Sequence, residues 1–387
     1  MYDVAVIGAG PSGLNASRRL AERGLEVVVL EKKSRIGDHV ICTGIIGKEA
    51  FQKFDLSKDL VLEEIQRIKM ISPYSTQLNY HHHSAFANVV DRKKFDNYLA
   101  GIAQAKGVEI KLENHVFDVS VKSDCVEIST KVKSEDVKKY TAKVALVATG
   151  IDFGLNKKLG LGYPRDFLFG MQAEFEADNF DSTHIFVGNN VAPGAFAWAV
   201  PIGGRKIRAG LVAESNPKVC FQNLMKKLNL DQSKNFNRNH VQYRAIAQGL
   251  ISKTSGERVL SVGEAAGQVK ATSGGGIYFG MLCSEFASQV ICKGFEQGSF
   301  SSKVLAEYDK LWKRAIQREI LVGYYARKLC GKLTDLQIEK IFQIAQSDGV
   351  IPLIEEKGNF DWHGELVLTL LKRIPGLRDI NSKTIKN

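Results

Sequence analysis

The segment DVAVIGAGPSG, residues 3–13, joins a short apolar run to three glycines in the order G-x-G-x-x-G. Residues 14–23 follow with helical spacing, and LEVVVLE at residues 25–31 is again apolar. A strand, a glycine turn, a helix and a second strand within about 30 residues form the opening unit of a doubly wound sheet. The sequence therefore predicts a dinucleotide-binding domain that starts at its first residues.

Each glycine of this turn has its own physical task. Gly8 permits the tight turn, Gly10 lets the backbone approach a pyrophosphate, and Gly13 lets the helix pack closely on the strand. The phosphates would lie at the helix N-terminus, where free N–H groups and the helix dipole favour negative charge. The predicted pyrophosphate contacts are Gly8, Gly10, Pro11, Ser12 and Gly13.

Two carboxylates stand directly after predicted strands. Glu31 ends the second strand and is placed to accept hydrogen bonds from an adenosine ribose, with Lys32 beside it. Glu264 follows a buried strand at residues 258–262 and is placed for the hydroxyls of a sugar-alcohol chain. The two positions predict a cofactor that extends from an adenosine to a ribityl chain.

A second glycine-rich segment, VLSVGEAAGQVKATSGGGIYFGM at residues 259–281, decides between cofactors. Its three consecutive glycines open a helix, where bare backbone amides suit a pyrophosphate and the edge of an isoalloxazine ring. A simple nicotinamide dehydrogenase does not need this arrangement, so the sequence predicts FAD. The predicted FAD contacts beyond the first turn are Glu31, Lys32, Arg92, Gly150, Gly263, Glu264, Gly274, Gly275, Gly276 and Ile277.

The remaining pattern predicts a mixed α/β chain in three parts. Residues 165–250 alternate in hydrophobicity and indicate a mainly antiparallel sheet, whereas the chain beyond residue 301 is almost wholly helical up to Pro375 and Gly376. Further elements are expected as a helix at 91–106 and strands at 108–112, 115–121, 125–132 and 139–147. The predicted parts are a doubly wound Rossmann-type FAD-binding domain (1–164 with 251–300), an antiparallel-sheet substrate domain (165–250) and a helical C-terminal region (301–387).

The composition is that of a globular chain with a large core. Of its 387 residues 44% are apolar, and no apolar run approaches the roughly 18 residues that would span a bilayer. Asp3 interrupts the place where a signal peptide needs its apolar core, so we expect a cytoplasmic protein, with or without contact to the membrane periphery. Six scattered cysteines without a C-x-x-C pair are expected to be reduced thiols.

The net charge of +11 fits attraction to anionic lipids, nucleic acid or acidic substrates, and it equally fits a solvated basic surface. The lysine clusters lack interleaved aromatic residues and a recognisable nucleic-acid motif, so we expect no nucleic-acid partner. The run His81–His83 predicts a solvated loop and no metal site, because neighbours on a strand point to opposite faces.

Two segments resemble the geranylgeranyl reductase family, within the flavoproteins that share the p-hydroxybenzoate hydroxylase fold. Residues 263–277 are similar to the family motif G-D-A-A-G-x-x-x-P-x-x-G-G-G-I, with Glu264 for the aspartate and Ala271 for the proline. VDRKKFDNYL at residues 90–99 resembles the segment in which an arginine, here Arg92, approaches the flavin. The resemblance implies the fold and the FAD site described above.

A third segment, PGAFAWAVP at residues 193–201, is similar to the family signature P-x-x-Y-x-W-x-F-P that lines the isoprenoid channel. Phe196 stands for the tyrosine, whose hydroxyl is lost, and Val200 for the phenylalanine. On a strand Phe196 and Trp198 face one side, where they either line an apolar pocket beside the flavin or fill the core between domains.

A fourth segment, DHVICTGIIG at residues 38–47, resembles the family segment that carries a cysteine close to the flavin. The resemblance implies that Cys42 donates a proton or tunes the flavin, and an inert buried thiol is the alternative. The predicted catalytic residues are Cys42, Phe196 and Trp198.

The resemblance implies that reduced FAD delivers a hydride to an isoprenoid double bond and that a proton completes the saturation. A prenyl diphosphate or a prenyl lipid would be the substrate, and an amphipathic helix at 363–373 fits transient docking on a membrane surface. No second complete G-x-G-x-x-G is present, so the reductant stays open between NAD(P)H and a ferredoxin-type donor. The alternatives are a flavin-dependent monooxygenase or halogenase of the same fold, and a flavin- and lipid-binding protein without turnover.

Overall fold

The computed structural model describes residues 1–132, 136–178, 180–230, 241–347 and 350–373. Its strands are, in chain order, β1 (Tyr2–Ile7), β2 (Val27–Leu30), β3 (Ile45–Gly47), β4 (Val61–Ile65), β5 (Arg67–Ile71), β6 (Gln77–His81), β7 (Ala87–Val90), β8 (Glu109–Lys111), β9 (His115–Val121), β10 (Val126–Lys131), β11 (Val137–Val147), β12 (Asp166–Glu176), β13 (Thr183–Phe186), β14 (Phe196–Pro201), β15 (Lys206–Ala213), β16 (Gln242–Gln248), β17 (Ser255–Gly256) and β18 (Val259–Ser261). Its helices are α1 (Pro11–Ala21), α2 (Lys48–Lys53), α3 (Arg92–Ala105), α4 (Gly154–Lys158), α5 (Pro217–Lys227), α6 (Ile277–Glu296), α7 (Ser302–Trp312), α8 (Arg318–Cys330), α9 (Asp335–Ser347), α10 (Val350–Lys357) and α11 (Gly364–Arg373).

The first sheet has the order β17-β18-β11-β1-β2-β8, with β9 and β10 added as an antiparallel hairpin on β11. Strands β18, β11, β1, β2 and β8 run parallel to their neighbours in this order. Residues Val4–Ile7 are all buried because the sheet is covered on both faces, as parallel sheets usually are. Helix α1 packs against α3 and α6 over one of these faces.

The second sheet has the order β16-β12-β15-β14-β13-β5-β6 and is antiparallel except at the β13–β5 pair. Helix α5 covers one face through a core that includes Phe221, Leu224 and Leu211. The other face carries Leu168, Trp198 and further apolar residues, and it packs on residues of β4 and β7.

A small third sheet in the order β3-β7-β4 packs on both larger sheets. Ile65, Ala87 and Val89 share an apolar cluster with the second sheet, and Ile46 and Val90 share one with the first. The chain ends in the helices from α7 onwards, and a π-helical turn at Lys313–Gln317 joins α7 to α8. Helix α11 packs against α8 and α10. The helical region thus contacts both large sheets. Helix α7 packs against β17 of the first sheet, and α9 packs against β6 of the second.

The predicted fold class is confirmed, and the helix expected at 91–106 is α3. The predicted domain boundaries at residues 165 and 250 stay a prediction. The second sheet also contains β5 and β6, which come from the first 164 residues, because β5 pairs in parallel with β13. The loop predicted for His81–His83 is wrong at His81, which ends β6 opposite Arg67.

The predicted helix break at Pro375 and Gly376 lies outside the described residues. The predicted amphipathic helix near the C-terminus is α11. No helix in the described part of the chain is both long enough and apolar enough to cross a membrane.

Candidate functional site

The glycine turn between β1 and α1 has the geometry that an FAD pyrophosphate needs. Gly8 has a φ of +110°, and a side chain there would collide with the carbonyl oxygen of Ala148. A Cβ at Gly13 would collide with the carbonyl oxygen of Gly8. By contrast, a Cβ at Gly10 would meet no atom of the described residues within 4 Å, so the space in front of this residue is open. The N-terminus of α1 faces that space, and no described side chain caps it.

Glu31 is fixed at the end of β2 by two backbone amides. Its Oε2 atom accepts a hydrogen bond of 2.8 Å from the Ala9 N–H, and its Oε1 atom accepts one of 2.9 Å from the Lys33 N–H. The residue is only 9% exposed. Two carboxylate oxygens offer about four lone-pair sites, so the carboxylate can still accept hydrogen bonds from ribose hydroxyls. Lys32 is exposed, and its Nζ lies 3.8 Å from Asp152 Oδ2.

Gly263 and Ser12 bring the two glycine-rich segments into contact. Gly263 has a φ of +71°, and a Cβ there would lie 2.6 Å from Ser12 Oγ. Gly280 on α6 faces the same hydroxyl, with no room for a side chain. The two glycine-rich segments are therefore packed against each other at Ser12.

Glu264 lies at this junction and is paired with an arginine of the second sheet. Its Oε2 atom accepts a hydrogen bond from Arg244 on β16, and it lies 3.7 Å from the position of a Cβ on Gly150. Burial raises the pKa of Glu264, while Arg244 and the Ala247 amide lower it. The sequence predictions included Glu264 and Gly150 but missed Arg244, because strand alternation does not show which distant turn a side chain reaches.

The consecutive glycines, Gly274 to Gly276, lead into α6, whose first residue is Ile277. Gly276 is the N-cap residue of α6, and no described side chain accepts a hydrogen bond from the first amides of this helix. These amides are therefore available to a ligand. Gly274 has a φ of +71°, and a Cβ added there would lie 3.5 Å from the side chain of Ile246. The glycine-rich segment therefore lies beside Ile246 on the second sheet.

Arg92 opens α3 and is held in place by Asp96, one helical turn later. Its Nη2 atom lies 2.8 Å and 3.0 Å from the two Asp96 carboxylate oxygens. Burial alone would lower the pKa of Arg92, but Asp96 and the neighbouring Cys42 side chain raise it above its ordinary value. Asp96 was missed in the sequence, although the i,i+4 spacing of an arginine and an aspartate could have identified it.

Phe196 and Trp198 share one face of β14, as predicted, with ring centroids 5.7 Å apart. Both belong to an apolar cluster with Ile246, the residue that faces Gly274. Trp198 is 7% exposed and its Nε1 atom has no hydrogen-bond partner among the described residues, whereas Phe196 is only half-buried. The cluster is thus both a core between domains and the apolar wall next to the glycine-rich segment.

These features fit FAD. The open space at Gly10, the uncapped N-terminus of α1 and the oriented Glu31 would hold the adenosine diphosphate half. Glu264 and the uncapped start of α6 at Gly276 would hold the ribityl and flavin half. The assignment of the individual residues to the cofactor stays a prediction.

Comparison with known proteins supports the FAD assignment. The family model for the FAD dependent oxidoreductases matches residues 3–151. The digeranylgeranylglycerophospholipid reductase of Methanocaldococcus jannaschii is 28% identical over 354 residues, which cover 88% of this chain and 90% of the relative. The chain is an FAD-dependent oxidoreductase similar to the geranylgeranyl reductases.

Solved structures extend the likeness of this oxidoreductase to the whole fold. A geranylgeranyl bacteriochlorophyll reductase-like protein from Thermoplasma acidophilum superposes with a TM-score of 0.84 at 20% identity, over 98% of this chain and 99% of that one. A flavin-dependent brominase superposes with a TM-score of 0.74 at 18% identity, over 99% and 100% of the two chains. At such identities both matches show a shared fold alone.

Proposed function

We propose that this oxidoreductase saturates isoprenoid double bonds of a prenyl lipid or a prenyl diphosphate. The observation that carries the proposal is the apolar cluster around Trp198, which reaches the glycine-rich segment through Ile246. An apolar wall at that place suits a hydrocarbon chain better than a polar substrate. The name of the Methanocaldococcus relative supports the same class of substrate.

When bound and reduced, FAD would supply the hydride. The residues of the chain would orient the alkene and exclude water. Phe196 and Trp198 stand on the second sheet with their rings directed to the same side, where they can hold an isoprenoid unit in one orientation. Because Phe196 lacks a hydroxyl, it contributes shape to the site and supplies no proton.

Cys42 is the proposed source of the proton that completes the saturation. Its Sγ atom accepts a hydrogen bond of 3.3 Å from the Gly44 N–H, and Arg92 lies beside it. After proton donation, the Gly44 amide and the Arg92 guanidinium would stabilise the resulting thiolate. The contacts with Gly44 and Arg92 support the proposal that this thiol donates the proton.

Two further parts of the proposal concern partners. We propose NAD(P)H or a ferredoxin-type protein as the electron donor, because the flavin must be reduced again after each alkene that it saturates. We also propose a cytoplasmic protein that docks transiently on a membrane surface. The net charge of +11 and the amphipathic α11 support this docking.

The test is an anaerobic single-turnover experiment. The purified holoprotein is reduced with dithionite and mixed with digeranylgeranyl glycerophospholipid or with geranylgeranyl diphosphate. We expect reoxidation of the flavin together with products heavier by steps of two hydrogens in mass spectrometry. The variant Cys42→Ser should bind FAD and accept electrons like the wild type but form product more slowly.

A flavin that stays reduced with both substrates until oxygen is admitted would overturn the proposal. Hydroxylation of an aromatic substrate or its halogenation in the presence of bromide would then identify the monooxygenase or halogenase alternative. A bound flavin that accepts no electrons from any donor would identify a protein without turnover.

A further inference from the structure

The backbone around Cys42 is held by side chains of the second sheet. We call residues 41–44 the strap. Three consecutive carbonyl groups of the strap each accept a hydrogen bond from a different strand. The bonds run from Arg244 Nη1 to Ile41 O at 3.1 Å, from Gln172 Nε2 to Cys42 O at 3.3 Å and from Arg208 Nη1 to Thr43 O at 2.5 Å.

The three donors lie on one face of adjacent strands. Their strands, β16, β12 and β15, are neighbours in the second sheet, and the register places Arg244 opposite Gly170 and Arg208 opposite Glu174. Positions 170, 172 and 174 alternate to the same side of β12. The strap therefore crosses three strands on the face that also carries Trp198.

Each donor is also anchored by a second group, so its orientation does not depend on the strap. The anchoring pairs are Arg244 with Glu264, Gln172 with Gln242 at 2.9 Å, and Arg208 with Glu174 at 2.7 Å and 3.0 Å. A side chain whose rotamer is already fixed loses less entropy when it holds the strap.

The strap is fixed at its far end as well. Gly44 has a φ of +79° and lies so close to Val90 that a side chain would collide with the Val90 carbonyl oxygen. The Val90 N–H donates a hydrogen bond of 2.8 Å to the Gly44 carbonyl. Cys42 is thus held in two ways. The carbonyl groups of residues 41–43 accept hydrogen bonds from the second sheet, and Gly44 is held against Val90.

Arg244 differs from the other two donors because its anchor belongs to the cofactor site. One guanidinium joins the Ile41 carbonyl of the strap to the carboxylate of Glu264, the residue placed for the ribityl chain. We propose that Arg244 is a positioning residue that couples the cofactor site at Glu264 to the placement of Cys42. This inference rests on the role proposed for Cys42.

Loss of the Arg244 guanidinium removes both bonds at once. The Glu264 carboxylate would then lose its cation in a largely buried place, and the strap would lose its first attachment. We expect weaker FAD binding and a more mobile strap. Greater mobility exposes the Cys42 thiol to alkylating reagents, which provides a measurement that does not depend on turnover.

The experiment measures two quantities in Arg244→Met, in Arg244→Lys and in the wild type. The FAD dissociation constant comes from flavin fluorescence, and the rate of Cys42 alkylation by iodoacetamide at saturating FAD comes from peptide mass spectrometry. Cys125, in the turn between β9 and β10, serves as the internal control thiol. Arg205→Met is the matched control variant, because it removes an exposed arginine and its ion pair with Asp178 from the same domain.

For Arg244→Met we expect alkylation of Cys42 to rise and FAD affinity to fall, each by about tenfold, since a charge-assisted hydrogen bond is lost on either side. Cys125 should react as in the wild type. Arg244→Lys keeps a cation for Glu264 but loses the planar guanidinium that binds Glu264 and the Ile41 carbonyl together. Compared with Arg244→Met, this variant should therefore regain more of the FAD affinity than of the protection of Cys42 against alkylation. Arg205→Met should leave both quantities unchanged.

Unchanged alkylation of Cys42 in Arg244→Met, at saturating FAD, would overturn the coupling. Equal acceleration at Cys42 and Cys125 would overturn it too, since it would indicate general loosening of the chain. If Arg244→Met does not fold, Arg244→Lys decides the question through the same two measurements. Neither measurement uses a prenyl substrate, so failure of the proposed function and failure of this inference are distinguishable.

Discussion

Lys270 and Asp361 form a buried ion pair, with 2.7 Å between Nζ and Oδ1, that joins the glycine-rich segment to the C-terminal helical region. The two side chains are 5% and 2% exposed. Lys270 also donates to the Phe360 carbonyl at 3.2 Å, while Asp361 Oδ2 has no hydrogen-bond partner among the described residues. A buried pair with one unsatisfied oxygen is costly to break and is not optimal for stability.

The first prediction concerns this pair. Lys270→Met leaves a buried carboxylate without its cation, so we expect the free energy of unfolding to fall by about 3–5 kcal/mol. The double variant Lys270→Met/Asp361→Leu removes both charges and should recover much of that loss. Urea unfolding of the two variants and the wild type measures the difference. Equal losses in the single and double variants would contradict an electrostatic origin.

The second prediction concerns pH. Nε2 of His363 contacts the Phe360 carbonyl at 2.8 Å, and Nδ1 contacts the Thr272 hydroxyl at 2.5 Å, an arrangement that suits a neutral ring. Burial, followed by the charge of Lys270, lowers the pKa of His363 from 6.5 to about 4. Between pH 6.5 and about 4 the unfolded chain takes up a proton at this residue and the folded chain does not. Stability contributed by the neutral ring is therefore present above pH 6.5 and is lost as the pH falls towards 4.

The loss of unfolding free energy from His363 amounts to at most about 3.4 kcal/mol across this window. In His363→Gln, the decline in unfolding free energy between pH 6.5 and pH 4 should be smaller than in the wild type. Part of the decline should remain, because burial also lowers the pKa of the less deeply buried His184 to about 4. Urea midpoints at several pH values test this, and identical slopes in both proteins would refute it.

The third prediction separates two glycines of the first turn. Gly13→Ala would place a methyl group against the Gly8 carbonyl, so we expect loss of stability and of FAD binding together. Gly10→Ala meets open space and leaves the fold intact, but its methyl group occupies the path of the pyrophosphate. FAD affinity should then fall by about tenfold or more at an unchanged thermal midpoint of the apoprotein. Normal FAD binding by Gly10→Ala would show that the pyrophosphate lies elsewhere.

The sequence predicted those parts of the molecule that depend on local pattern. The glycine turn, helix α3 and the shared face of Phe196 and Trp198 follow from spacing alone. The pairing of Arg244 with Glu264 could not be predicted, because it depends on which strand borders the glycine-rich segment. Sheet order results from pairings between distant strands, such as β13 with β5, and hydrophobic periodicity carries no information about them.

The last prediction concerns the apolar wall of the proposed site. Trp198 Nε1 has no partner among the described residues, so Trp198→Phe breaks no described hydrogen bond and mainly removes volume next to Phe196. We expect a stability cost of about 1–3 kcal/mol from the smaller ring, with FAD binding and reduction by dithionite unchanged. Reoxidation of the flavin by a prenyl lipid should slow by about tenfold, because the isoprenoid unit is held less well.

Phe221→Leu provides the control for this effect. It also removes volume from a ring, but in the core between α5 and the opposite face of the same sheet. We expect a similar stability cost and little change in reoxidation by the prenyl lipid, since this core does not border the glycine-rich segment. If both variants slow reoxidation equally, then Trp198 acts only through the stability of the second sheet. A selective effect of Trp198→Phe would instead mean that this face of the sheet contacts the substrate.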